Sequence, residues 1–198
     1  MANVDAAYGA KPFAYLSGAP WNGQVRRYVV LAANTTAVGI GDFVVLDSED
    51  SDTYPQYAAV LAATASSEAI VGVAVGFEAN PANLNIEGRY RSASATTKDR
   101  IVMVVDDPDV LFTMNADGAV SADLIGSLGN PTYTTPNTTT GVSTMELDAS
   151  EFGTDVNDQL RLMGFVDSPD NDTTLIGAEC IVKINHHAYA PGRVSAAV

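Results

Sequence analysis

Ile70-Val71-Gly72-Val73-Ala74-Val75-Gly76-Phe77 alternates large and small side chains over eight residues. That period of two reads as a β-strand with Val71, Val73, Val75 and Phe77 on one face. Gly72, Ala74 and Gly76 fall on the other face and leave it nearly flat. A flat face suits close packing by another backbone, a bulge or a barrel corner. Similar short runs of β-branched and aromatic residues recur at 28–31, 43–46, 101–105, 110–114, 160–166 and 180–184. A shorter one lies at 145–147, and Gly, Asp, Asn, Pro and Thr clusters separate them all. Many short strands between turn formers predict an all-β fold, a sandwich or barrel of short strands.

The bulk composition agrees. The chain has 198 residues, enough for one well-packed domain, with 46% apolar and only 17% charged residues. Small uncharged residues fill the deficit, which fits broad contact with other subunits or simply Thr-rich outer faces. The net charge is −14, and no basic residue lies between Arg27 and Arg89 or between Arg100 and Arg161. Such a surface is repelled by phosphate backbones, so direct nucleic-acid binding is not expected. Cys180 is the sole cysteine and sits in an alternating strand pattern, where it reads as a small buried hydrophobe. No basic leader precedes an apolar stretch, and no apolar run reaches membrane-spanning length. A soluble product made in the cytoplasm, with no membrane partner, is expected.

Residues 1–25 read differently. Gly9, Pro12, Gly18, Pro20 and Gly23 interrupt them too often for a helix, yet Tyr8, Phe13, Tyr15 and Trp21 are spread among them. Aromatics gain by burial, so an extended N-terminal arm is predicted, lying on a neighbouring subunit or on its own domain. Residues 26–198 then form a single β-rich domain with long loops. Periodicity leaves 57–63 open between strand and helix. Asn115-Ala116-Asp117-Gly118 reads as a hairpin turn, 121–130 as a short helix, and 130–144 as an exposed, mobile loop.

Reactive equipment is sparse. His186 and His187 are neighbours, so in a strand they point to opposite faces and cannot share one metal. No Gly-x-Ser-x-Gly elbow is present, and Gly39-x-Gly41-Asp42 lacks the Gly-Lys of a phosphate loop. Asp106, Asp107 and Asp109 cluster around Pro108, and Asp170 with Asp172 forms a second group. Hard cations want such carboxylates on a bent loop, but the twelve-residue calcium pattern is not met and turn chemistry explains both. Arg26 and Arg27, where the arm meets the first strand, read as surface charges or an intersubunit anchor. No catalytic residue, metal or cofactor is predicted, and the chain is expected to bind rather than catalyse.

Several segments together resemble the head decoration, or capsid cement, proteins of tailed bacteriophages. They are Phe13 with Gly18-Ala19-Pro20-Trp21-Asn22-Gly23-Gln24-Val25-Arg26-Arg27-Tyr28, then Gly41-Asp42-Phe43-Val44-Val45 and Val71-Gly72-Val73-Ala74-Val75-Gly76-Phe77. Asp106-Asp107-Pro108-Asp109-Val110-Leu111-Phe112 and Ser168-Pro169-Asp170-Asn171 follow in order. The resemblance implies a non-enzymatic virion protein on the capsid exterior, bound to the major capsid protein and to itself, as a trimer ahead of a dimer. The interface residues expected on that basis are Phe13, Trp21, Arg26, Arg27, Gly72, Ala74, Gly76, Asp106, Asp107 and Asp109. The alternative is a carbohydrate- or host-surface-binding β-sandwich module, with Trp21, Tyr54, Tyr57 or Tyr133 as its aromatic platform.

Overall fold

The computed structural model describes residues 3–79, 89–93 and 98–190, and in them the apolar runs become strands. In chain order these are β1 (Lys11–Tyr15), β2 (Arg26–Val30), β3 (Val38–Gly39), β4 (Phe43–Leu46), β5 (Val60–Ala62) and β6 (Ile70–Phe77). They continue as β7 (Tyr90–Arg91), β8 (Arg100–Val105), β9 (Val110–Asn115), β10 (Leu128–Gly129), β11 (Leu160–Phe165) and β12 (Glu179–Ile184). The fold is all-β. One antiparallel sheet runs β1-β9-β12-β11-β10, a second runs β2-β8-β6-β4-β5, and β3 pairs with β7. The second sheet curls until its edges meet: Val29 bridges Ala59, and Val29 N–H donates to the Ala58 carbonyl at 3.1 Å.

Curling divides the interior. Tyr28, Val30, Val44, Val71, Ala74, Val102 and Val104 fill the inside of the curled sheet. Phe43, Ile70, Val73 and Val105 face outward from it and pack on Phe112, Met114, Leu160, Leu162 and Val182 of the first sheet. Both faces of β6 are therefore buried, as in a central strand between two cores.

The alternation expected along β6 is broken. Val71 and Phe77 belong to the inner core but Val73 to the core between the sheets, so they do not share a face. Register shifts between Val44 and Val45, and between Ala74 and Gly76, cause this, since each bulge inverts the pleat. At Gly72 the flat face receives a backbone, the Val105 carbonyl of β8 in the same chain. Ala74 is 0% exposed inside the curled sheet. An outward-facing flat surface at Gly72 and Ala74 is thus not present in the folded chain.

Residues 3–25, expected as an arm, run along the first sheet of their own chain. Lys11–Tyr15 becomes its edge strand despite Pro12, because an edge tolerates a missing donor. Before it, a strap is fixed by Asn3 to the 172–176 loop and by Ala10 N–H to the Gly41 carbonyl at 2.9 Å.

Three local expectations change. No hairpin forms at 115–118: Ala116 N–H donates to Ala178 O and Asp117 N–H to Leu147 O, so the chain bends at 117–118 without pairing back on β9. The helix shrinks to one 3-10 turn, Ala122–Leu124, capped by Ser121. The 130–144 loop folds back on itself through Thr132–Glu146 and Asn137–Val142 backbone bonds, and Pro136 and Gly141 are buried. Its order comes from backbone and Thr/Asn hydrogen bonds, which leave no apolar periodicity to read. Within 57–63 the regular element is strand β5, Val60–Ala62. The 80–88 connection and residues 191–198 lie outside the described residues.

Asp42, in the turn before β4, is fully buried, and its Oδ2 accepts from Gly39 N at 2.7 Å. Burial pushes its carboxyl up to about 6, against the pull of hydrogen bonds from Ser143 and Gly39. A raised carboxyl means the fold prefers the protonated form. That contribution is complete below the ordinary value of 3.8 and is lost as pH rises through about 6. Asp42→Asn keeps an oxygen for Gly39 and carries no charge. It is expected to stabilise the protein by about 1–3 kcal/mol at pH 7.5 and by little at pH 3.5. Thermal melts of both proteins across that range check this; equal gains at both ends would refute the titration of Asp42.

Candidate interface site

Two chain segments cross from one sheet to the other side by side. Residues 16–25 link β1 to β2, and Asp106-Asp107-Pro108-Asp109 links β8 to β9. Because β1 pairs with β9 and β2 with β8, both connections meet at one corner. Leu16 N–H donates to the Asp109 carbonyl at 2.8 Å, which joins them.

The corner is organised around Asp106. Its Oδ2 accepts from the Tyr28 hydroxyl at 2.6 Å and pairs with Arg26 at 3.0 Å. The Arg26 side chain is 67% exposed while that of Asp106 is 11% exposed, so the carboxylate is a buried anchor under an exposed cation. An ion pair this open adds about 0–1 kcal/mol of stability, and the guanidinium stays available to a partner. Burial, and the bond to Asp106, raise the Tyr28 phenol above its ordinary value, so it remains a donor. Asp107 Oδ1 accepts Asp109 N–H at 2.9 Å, an Asx turn, and Asp109 pairs with Lys183 at 2.9 Å. Each carboxylate in the run has a protein partner. Among the described residues, no three His, Cys, Asp or Glu side chains assemble as a ligand set.

His187 lies beneath. Its Nδ1 accepts from Tyr189 N–H at 3.0 Å, which places the proton on Nε2. Burial pushes the imidazole down to about 4 despite the nearby Asp106 and Asp107, so it is neutral at physiological pH. Cys180 is buried between the sheets and its thiol is pushed up to about 12 by burial. Neither group is poised as a nucleophile or base at the surface.

Seven of the ten residues singled out from the sequence gather here. Phe13 occupies the bulge of β1 and is 50% exposed; Trp21 is half-buried against the main core, and its backbone N–H donates to the Phe13 carbonyl at 3.4 Å. Arg26, Asp106, Asp107 and Asp109 follow as described, and Arg27 faces out toward Glu78 at 3.8 Å. Gly72 and Ala74 lie in the interior, and Gly76 is half-buried beside the Met103 methyl. Leu16, Val25, Tyr28, Lys183 and Tyr189 also build the corner but carried no signal of their own. Leu16, Val25 and the aromatic Tyr189 are exposed around the same turn. The corner holds a cleft of about 380 Å³ walled by Val25, Arg26, Asp106, Pro108 and Tyr189.

The four aromatics considered as a sugar platform pack separately. Trp21 and Tyr133 lie against the main core, and Tyr54 and Tyr57 lie against Val29, Leu31 and Ala59. No protein-family model matches the chain, and no curated protein or solved structure matches it either.

Proposed function

We propose that this chain is a non-catalytic structural protein of a tailed-phage virion, a decoration protein that cements the outside of an icosahedral head. The observation that carries the reading is the corner itself. Val25 and Tyr189 are left exposed in the cleft beside an Arg26 that is anchored but not consumed, and Phe13 and Leu16 are exposed along the segment that leads into the same crossing. Apolar and aromatic groups with an arginine, on two crossing connections joined by a hydrogen bond, are the composition of a protein–protein contact. The sequence segments resembling decoration proteins include this corner, and the acidic surface suits a basic facet of the major capsid protein. Each copy adds a modest contact, and the symmetry of the shell multiplies it. On this reading the corner faces the major capsid protein, and copies of the chain associate on the virion exterior.

Co-sedimentation with expanded, empty heads tests this. The double variant Phe13→Ser, Val25→Ser changes two partly exposed side chains and no hydrogen bond of the fold, so it is expected to stay folded with a melting temperature near that of wild type. Its affinity for heads is expected to fall by about tenfold or more, the loss of roughly two interfacial apolar anchors. Wild-type protein that never co-sediments would sink the decoration role. A double variant that binds like wild type would place the contact away from the corner.

A further inference from the structure

We propose that Asn22 is a self-modifying site, converted by its own chain to aspartate and isoaspartate through a cyclic imide with Gly23. The pair is the sole Asn-Gly of the chain and lies exposed in the connection between β1 and β2. The chemistry does not depend on attachment to heads.

The fold prepares the side-chain carbonyl. Residues 15–21 turn back along β1: Tyr15 N–H donates to the Ala19 carbonyl at 2.8 Å, and Ala14 bridges Pro20. That return brings Asn22 to the hydroxyl of Tyr15, whose ring packs half-buried on the main core. The hydroxyl donates to Asn22 Oδ1 at 2.9 Å, and Gln24 N–H donates to the same oxygen at 3.1 Å. A backbone N–H requires an acceptor there, so the amide orientation is fixed. Two donors on one carbonyl draw charge from Cγ and stabilise the oxyanion that forms when a nucleophile adds to it. The bond from Gln24 also turns the amide toward the backbone that follows, the side on which the Gly23 nitrogen lies. Among the described residues Gly23 N–H donates no hydrogen bond, and a Cβ at Gly23 would have nothing within 4 Å. The nucleophile is free, uncrowded and open to water.

The Gly23 nitrogen gives its proton to water and bonds to Cγ of Asn22. The side-chain nitrogen takes up a proton and leaves as ammonia, which closes the imide. Water then adds to one imide carbonyl and breaks its bond to the Gly23 nitrogen. Attack at Cγ yields aspartate; attack at the main-chain carbonyl yields isoaspartate, whose chain runs through the former side chain. Water is the only co-reactant. Either product adds a negative charge between half-buried Trp21 and the exposed Val25 and Arg26. Isoaspartate also lengthens the main chain there by one methylene. The modification therefore alters the corner from within.

Peptide mapping by mass spectrometry tests the assignment on the full chain, held folded at neutral pH and body temperature, with enzymatic methylation to report isoaspartate. Asn137 is the internal control. It is exposed, and its Oδ1 also takes two donors, Thr139 N–H at 2.8 Å and Thr140 N–H at 3.1 Å. Thr138 follows it, and a β-branched side chain crowds the attacking nitrogen. Conversion at Asn22 is expected to run at least about tenfold faster than at Asn137. Tyr15→Phe keeps the ring on the core and removes only the hydroxyl, so it is expected to melt near wild type. Its conversion at Asn22 is expected to slow by about three- to tenfold, the loss of one hydrogen bond to the developing oxyanion. Asn22 that stays intact, Asn137 that converts as fast, or a folded Tyr15→Phe protein with an unchanged rate would each overturn the proposal.

Discussion

Gly72→Ala is expected to destabilise the protein by about 3 kcal/mol, a fall in melting temperature of roughly 6–12 °C. A methyl group at this position would stand 2.1 Å from the Val105 carbonyl oxygen and 2.8 Å from its carbon. Both are backbone atoms inside a paired ladder, with Val73 opposite Val105, so neither can rotate away. Relief requires β6 and β8 to separate where both cores meet, which costs packing on both faces. Gly76→Ala is the matched control. Its added methyl meets only the end of the Met103 side chain, at 3.2 Å, and that side chain can move. The control is expected to change stability by less than about 1 kcal/mol. Ala74→Trp belongs with Gly72, since the ring would have to enter the inner core, and loss of folding is the expected result. Equal melting temperatures for Gly72→Ala and Gly76→Ala would mean that the close approach of β6 to β8 is absent in solution.

The contrast between these glycines shows what sequence carries and what it omits. The large–small rhythm of 70–77 announces a strand, and the rhythm of 110–114 and 180–184 announces two more, because side-chain period is a local property. Which of Gly72, Ala74 and Gly76 faces inward depends on two bulges, and a bulge is an arrangement between strands. The same distinction applies at the corner. Arg26 and Asp106 are 80 positions apart, and their ion pair exists because β2 and β8 share a ladder. Carboxylates crowded around Pro108 were legible as a turn. Their partners Tyr28 and Lys183 were not, because each is an ordinary outward or inward position of an alternating strand. Tyr189 follows the last strand and has no pattern at all. Residues 11–15 failed in the other direction: Pro12 and a mixed Lys-Pro-Phe-Ala-Tyr run hide an edge strand, which needs only one row of hydrogen bonds.

Deletion of residues 2–24 is expected to unfold much of the first sheet, a loss of more than about 4 kcal/mol. An arm outside a 26–198 domain would be dispensable for folding. Its contacts argue otherwise. β1 pairs with β9 from Lys11–Thr113 to Tyr15–Val110, so its removal makes β9 an edge strand and opens the side of the core around Phe112. Asn115 loses the Val4 and Ala6 carbonyls and keeps a buried amide with nothing to donate to. Gly9, at φ 71°, passes so close to Ser143 and Gly41 that a Cβ there would lie 2.4 Å from the Ser143 Cβ. That contact ties the strap to the 130–144 loop, so the damage extends beyond one sheet edge. An uncovered β9 is also a template for pairing with another chain, and aggregation should accompany the loss. Thermal melts with light scattering check both. A truncated chain that melts like the full one, and stays monodisperse, would show that strap and edge strand add nothing to the fold. The truncation is for the same reason a poor probe of head binding, because lost attachment would follow from lost structure. Phe13→Ser with Val25→Ser leaves β1, the strap and the Arg26–Asp106 pair in place. Loss of binding in that variant, with its melting temperature intact, assigns attachment to the corner and not to the fold beneath it.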